Sequence, residues 1–131
     1  MSSHFEFQKW PVYQKAVSFS SEANALCFKL PKDGTKNLND QLRRASSSIS
    51  LNIAEGASRY SRNDKLQFLR VARGSVFECV AIIDLLAGMK LIEESALQSF
   101  NGTLAELGKM LSGFIKHVEK NNPSKTGSFK D

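Results

Sequence analysis

Val12, Ala16, Phe19, Ala23, Leu26 and Leu30 recur at steps of 4, 3, 4, 3 and 4 residues. That rhythm leaves a chain few options, because it lines up a single apolar seam on a helix and scatters it on a strand. Pro11 suits the first helical turn, where a missing N–H costs nothing. Leu30-Pro31 stops the run, so the first helix is expected over about Pro11–Lys29, with a turn at Lys32-Asp33-Gly34. Three more stretches behave alike. The second is expected from Asn39, read as an N-cap, with Leu42, Ala45, Ile49 and Ile53 inward, and Gly56 near its end in the role of a left-handed terminator. The third is opened by a capping-box variant, Ser61-Arg62-Asn63-Asp64, and runs to about Met89 with a stripe of Leu66, Leu69, Val76, Val80, Ile83 and Ala87. The fourth, about Glu94 to Lys120, repeats the seam with Leu97, Phe100, Leu104, Leu107, Leu111, Phe114 and Val118. Short links between four helices make chain neighbours antiparallel, so the expected fold is all-α: an up-down-up-down four-helix bundle over residues 1–120. Residues 121–131 (NNPSKTGSFKD) read as a disordered polar tail.

The third helix carries more apolar surface than one monomer can bury. Phe68, Val71, Ile82, Leu85 and Leu86 lie away from its main stripe. On the second helix, Ser47, Leu51 and Ala54 fall opposite the inward stripe, beside Arg44. Apolar and small residues on outer faces suggest a helix-mediated homo-oligomer. No run of about 18 apolar residues exists, so no membrane is implicated. Met1 to Trp10 lacks the apolar core of a secretory signal, and Cys27 and Cys79 stand far apart without a CxxC pattern. These features place the chain in a reducing cytoplasm, with both cysteines acting as small buried hydrophobes.

All six arginines fall between Arg43 and Arg73. From Gln41 to Arg73 seven basic residues face two acidic ones, Glu55 and Asp64, so this segment holds +5, the formal net charge of the whole chain. A guanidinium grips phosphate through paired hydrogen bonds, which makes nucleic acid the first partner to consider. The candidate phosphate contacts are Arg43, Arg44, Arg59, Arg62, Lys65 and Arg70, with Arg59, Arg62 and Lys65 favoured by their place at a helix N-terminus. No aromatic platform is apparent among them, Phe68 being expected to pack, so stacking on a single strand is not indicated. Arg73 is assigned to a structural polar network with Asn52, Glu55, Ser75 and Glu78, because a buried arginine needs a partner. The glycine of Arg73-Gly74-Ser75 is read as a close helix crossing, with Ser75 bonding inside the bundle.

Catalytic patterns are missing. His4 and His117 lack the Glu-x-x-His relation of a di-iron bundle, and the cysteines and histidines are too few for a zinc site. Ser46-Ser47-Ser48 sits in a helix without a nucleophile elbow, and neither phosphate-loop nor dinucleotide fingerprints occur. Glu55 and Glu78 are expected to neutralise arginines. The expectation is a chain without catalytic residues, cofactor or metal, whose partners are copies of itself and RNA or DNA. The competing expectation is an interaction scaffold that docks a protein, such as a nucleic-acid enzyme, with no nucleic-acid contact of its own.

Several runs together resemble a known family. They are Val12-Tyr13-Gln14-Lys15-Ala16, Gln41-Leu42-Arg43-Arg44-Ala45-Ser46, Ser48-Ile49, Asn52-Ile53-Ala54-Glu55-Gly56, Arg59, Phe68-Leu69, and Ala72-Arg73-Gly74-Ser75 with Glu78. The chain is similar, over about residues 5–118, to the four-helix-bundle proteins encoded within intervening sequences of 23S rRNA genes, often labelled S23 ribosomal proteins. The resemblance implies a ring-like homopentamer. It also implies kinship with the accessory variability protein of diversity-generating retroelements, a basic pentamer that binds nucleic acid and a reverse transcriptase. It brings no catalytic residues.

Overall fold

The computed structural model describes residues 4–120, and the expected polar tail lies outside the described residues. A 3-10 turn, Glu6–Lys9, leads into four helices: α1 (Pro11–Lys29), α2 (Lys36–Ala57), α3 (Arg62–Gly88) and α4 (Glu94–Lys120). Each helix packs on its chain neighbours, and α1 closes the ring against α4. The register is antiparallel throughout. Going up α1, Trp10, Lys15 and Phe19 meet Phe114, Glu106 and Phe100, so α4 descends as α1 rises.

The seams close the core as their spacing demands. Ala16, Phe19, Leu42, Ile49, Ile53, Leu69, Val76, Ile83, Leu104, Leu107 and Leu111 are almost wholly removed from solvent. Burying a side chain such as leucine or phenylalanine contributes about 1.5–3 kcal/mol, so this core is what holds the bundle against chain entropy. Cys27 rather than Leu26 completes the α1 seam, and Cys79 rather than Val80 that of α3.

Two helix ends differ from expectation. α2 starts at Lys36, a turn before Asn39, and Gly34 adopts φ 83° to bring the chain round. Asn39 therefore lies inside α2, where it caps α1 instead: its amide donates to the Cys27 carbonyl at 2.8 Å. Gly56 is helical and buried, with no left-handed φ. It packs against α3, where an added Cβ would stand 3.5 Å from the Lys65 carbonyl and the Phe68 Cβ, an ordinary van der Waals contact. The α3 cap forms as the sequence suggests, with Ser61 Oγ accepting from Asp64 N at 3.1 Å. α3 ends in paired Schellman bonds, Leu91 N to Leu86 O and Lys90 N to Ala87 O, with Lys90 at φ 61°.

Candidate nucleic-acid interface and outer apolar face

The arginine window spans α2 and α3, and the fold gives its members different tasks. Arg43 is half-buried against α1. Its guanidinium donates to Asn39 Oδ1 (2.7 Å) and Asn24 Oδ1 (2.9 Å) and lies 4.7 Å from the Phe28 ring centre. It is a brace between α1 and α2. Arg44, two turns from Leu51, is exposed and has no ion pair among the described residues.

Lys65 overturns the expectation placed on it. It is 2% exposed, and its ammonium donates to the Arg59 carbonyl. The first turn of α3 points this residue inward, between α2 and α3, so no phosphate reaches it. Its charge instead holds the backbone just past the end of α2, whose last carbonyls have no helical partners.

Arg59, Arg62 and Arg70 gather at one end of the bundle. Arg59 pairs with Glu55 at 2.6 Å and lies 4.8 Å from the Phe68 ring centre. Arg62 donates to the Glu119 carbonyl at 3.0 Å, and Arg70 pairs with the Glu119 carboxylate at 2.8 Å. These contacts bring the end of α4, with exposed Lys116 and Lys120, alongside the α2–α3 connection. Both ion pairs are about half-exposed. Such pairs contribute about 0–1 kcal/mol, so they reduce the free charge of this end without locking its arginines.

The expected polar network does not form as one unit, and its members go four ways. Asn52 donates to Ser48 Oγ (2.9 Å), which is joined by Ser75 Oγ (2.9 Å), a small buried bridge between α2 and α3. Glu55 belongs to Arg59. Arg73 leans the other way and donates to Ser112 on α4 at 3.3 Å. Glu78 is exposed and has no hydrogen bond or ion pair among the described residues. Arg73 needs no carboxylate because it is only half-buried and keeps solvent on one side.

The outer side of α3 carries a surface that the charge pattern hides. Phe77 is 67%, Leu85 55% and Val71 47% exposed. Between them run Gly74, Ala81 and Gly88, all exposed and seven residues apart. A Cβ on Gly74 would meet nothing within 4 Å, so no crossing inside this bundle explains the glycine. Leu51 on α2 is 66% exposed. Of the outward residues the sequence suggests, Val71, Leu85 and Leu51 are exposed, whereas Ile82 and Leu86 are buried in the core and Phe68 is half-buried; Phe77 was passed over, although Gly74, Phe77 and Ala81 follow helical spacing.

Sequence reading also missed Tyr60. It stands between Arg59 and Ser61 in the α2–α3 connection and is 82% exposed. The interleaving of an aromatic with Arg59 and Arg62 was the available signal.

Among the described residues no group of three or more His, Cys, Asp or Glu side chains could hold a metal ion, and no helix is long and apolar enough to cross a membrane. The two cysteines are free and buried. Burial pushes the Cys79 thiol up to about 12, with the Glu78 charge adding to it. Cys27 is raised chiefly by burial too, with Arg43 opposing and Asp40 adding. Thiols held protonated are poor nucleophiles.

The Asn-Ile-Ala-Glu-Gly run therefore ends α2 and meets α3 at Gly56, while in the Arg-Gly-Ser run Arg73 reaches α4, Ser75 reaches α2 and Gly74 faces solvent. The model of the 23S rRNA-intervening sequence protein family matches residues 8–113, which takes in α1, α2, α3 and most of α4. The chain belongs to this family. A solved structure supports the same fold: a protein of unknown function from the S23 ribosomal protein family of Bacteroides thetaiotaomicron superposes with a TM-score of 0.74 at 26% identity, covering 80% of this chain and 95% of the other. No curated protein matches the chain. In this member of the intervening-sequence family, part of the motif is accounted for by helix packing: Gly56 is buried against α3, and Asn52 and Ser75 are joined through Ser48.

Proposed function

We propose that this protein works by association and not by catalysis, as a self-associating helical scaffold. The observation that carries the reading is the outer face of α3, where Phe77, Leu85 and Val71 stand in solvent around Gly74, Ala81 and Gly88. Apolar side chains on a face lined with small residues match a second helix laid closely against it. The resemblance read from the sequence implies five copies. Sedimentation equilibrium tests both points. The expected result is a single assembly that dissociates to folded monomers in Phe77→Asp/Leu85→Asp. A wild-type chain that stays monomeric at about 100 µM, well above the micromolar Kd of an ordinary specific interface, would end the proposal.

A second reading is phosphate contact at the bundle end that holds the α2–α3 connection. It is supported by the meeting there of Arg59, Arg62 and Arg70 with Lys116 and Lys120. Arg44 remains a candidate on the outer face of α2, Arg43 leaves because its guanidinium is engaged by Asn24 and Asn39, and Lys65 leaves because it is buried. The test is a salt titration of nucleic-acid binding. Each phosphate neutralised contributes a slope of about −0.9 for duplex and about −0.7 for single strands. Arg59→Ala/Arg62→Ala is expected to flatten the line. Binding that ignores salt, or none at all, leaves the scaffold reading alone.

A further inference from the structure

Tyr60 has no packing role in this bundle. Its side chain is 82% exposed, yet the residues on either side of it are fixed. Arg59 N donates to the Gly56 carbonyl at 3.2 Å, and the Arg59 carbonyl takes the buried Lys65 ammonium. The Arg59 guanidinium is held between Glu55 and the Phe68 ring. On the far side, Ser61 caps α3 through its Oγ and receives Lys65 N at its carbonyl, 3.1 Å away. A ring in a floppy connection would lose much of any binding energy to ordering. This one is offered from a connection already ordered, so the cost of binding against it is small.

Its surroundings carry both signs with cations in excess, since Glu55 pairs with Arg59 and Glu119 with Arg70. Arg59 precedes it, Arg62 follows two residues on, and the bond from Arg62 to the Glu119 carbonyl sets exposed Lys116 and Lys120 nearby. An exposed aromatic face among cations matches a particular chemistry, in which a base stacks on the ring while neighbouring phosphates meet the charges. Duplex DNA or RNA keeps its bases stacked on each other and offers such a ring nothing.

We propose that Tyr60 is a stacking platform for a base of single-stranded nucleic acid, with Arg59, Arg62, Lys116 and Lys120 steering the backbone around it. This rests on the phosphate reading above and adds to it the strand state of the ligand and the residue that senses it. The site itself takes any base, because every base has a π-face.

The experiment uses the full chain with a fluorescent twelve-nucleotide oligouridylate and a labelled duplex of equal length, read by anisotropy at low salt. Wild type is expected to prefer the single strand. Tyr60→Ala is expected to lose roughly 5- to 150-fold in affinity for it, the range of one aromatic stacking contact. The salt slope should stay unchanged, since no phosphate contact is removed. Tyr60→Phe keeps the ring and is expected to bind like wild type. An exposed side chain can be truncated without unfolding the bundle, and an unchanged melting temperature checks this. Equal affinity of Tyr60→Ala and wild type overturns the stacking site while salt-dependent binding keeps the phosphate reading. Preference for duplex does the same. Loss of affinity in Tyr60→Phe equal to that in Tyr60→Ala would assign the effect to the hydroxyl and overturn stacking. No binding to either probe removes both proposals together.

Discussion

Lys65 illustrates how one turn of helix changes the chemistry of a charge. Three residues earlier, Arg62 reaches across to the end of α4. Lys65 points between α2 and α3 and is spent on the Arg59 carbonyl. A buried ammonium is tolerated only when hydrogen-bonded, and removing it leaves both a void and a carbonyl without its donor. Lys65→Ala is therefore expected to destabilise the bundle by about 2–4 kcal/mol, the sum of a truncated core side chain and a lost charged hydrogen bond. Urea denaturation followed by circular dichroism measures it, and a change below about 0.5 kcal/mol, as at an ordinary surface site, would return Lys65 to the list of phosphate contacts. Cys79 offers a second test. Its thiol ionises near 9.0 in the open chain and near 12 in the fold, because burial disfavours the thiolate. Below pH 9 both states are protonated and this group's contribution to stability is fully present. As pH rises from there toward the folded value, the unfolded state alone loses its proton and the contribution falls. The gap in urea midpoint between wild type and Cys79→Ala should narrow as pH is raised from about 8 to about 10.5; a constant gap would show that the thiol is not buried as described.

At the scale of the element, α3 ends on a compromise. Its Schellman bonds require a left-handed residue, and the chain supplies Lys90 at φ 61°. A side chain in that region costs about 1–2 kcal/mol relative to ordinary backbone, a penalty glycine escapes. Lys90→Gly is expected to raise stability by about 1 kcal/mol, offset in part by the greater freedom of the open chain, and a thermal melt reads the gain. A lower melting temperature would mean that the Lys90 side chain contributes more than its backbone costs. The existence and order of the helices were legible from apolar spacing alone, because a buried seam leaves the same imprint wherever its partner lies. The α2 start was not. Asn39 is a good cap by composition, and only the three-dimensional approach of Cys27 reveals that it caps the neighbouring helix. The same limit applies to the arginines. Their clustering was plain in the sequence, but the partners that divide Arg43, Arg59 and Arg70 between Asn24, Glu55 and Glu119 are 19, 4 and 49 residues away. Local pattern reaches only the Glu55–Arg59 pair, which follows the i, i+4 rule.

For the whole molecule, the decisive question is why a solvent-facing helix keeps a glycine at its centre. Gly74 lies mid-helix, and a Cβ there would touch nothing in this chain. Within an isolated bundle, alanine should simply be better, by about 1 kcal/mol of helix propensity. If a second copy packs its helix against this face, the same methyl intrudes on the crossing. Overpacking of that kind costs about 1–3 kcal/mol, which is roughly one to two powers of ten in Kd. Self-association thus predicts opposite signs for one substitution. In the Phe77→Asp/Leu85→Asp background, where assembly is disfavoured, Gly74→Ala should raise the urea midpoint. In the otherwise wild-type chain it should weaken assembly by sedimentation. Stabilisation in the mutant background with unaltered assembly would place the subunit contact elsewhere on the bundle, and the exposed phenylalanine at position 77 would need another partner. The same substitution also bears on charge. Copies joined through α3 repeat the basic end of the bundle around the assembly, and clustered cations attract a polyanion more strongly than one copy alone. Nucleic-acid affinity at low salt should then fall together with assembly in Gly74→Ala while each monomer keeps its full complement of arginines.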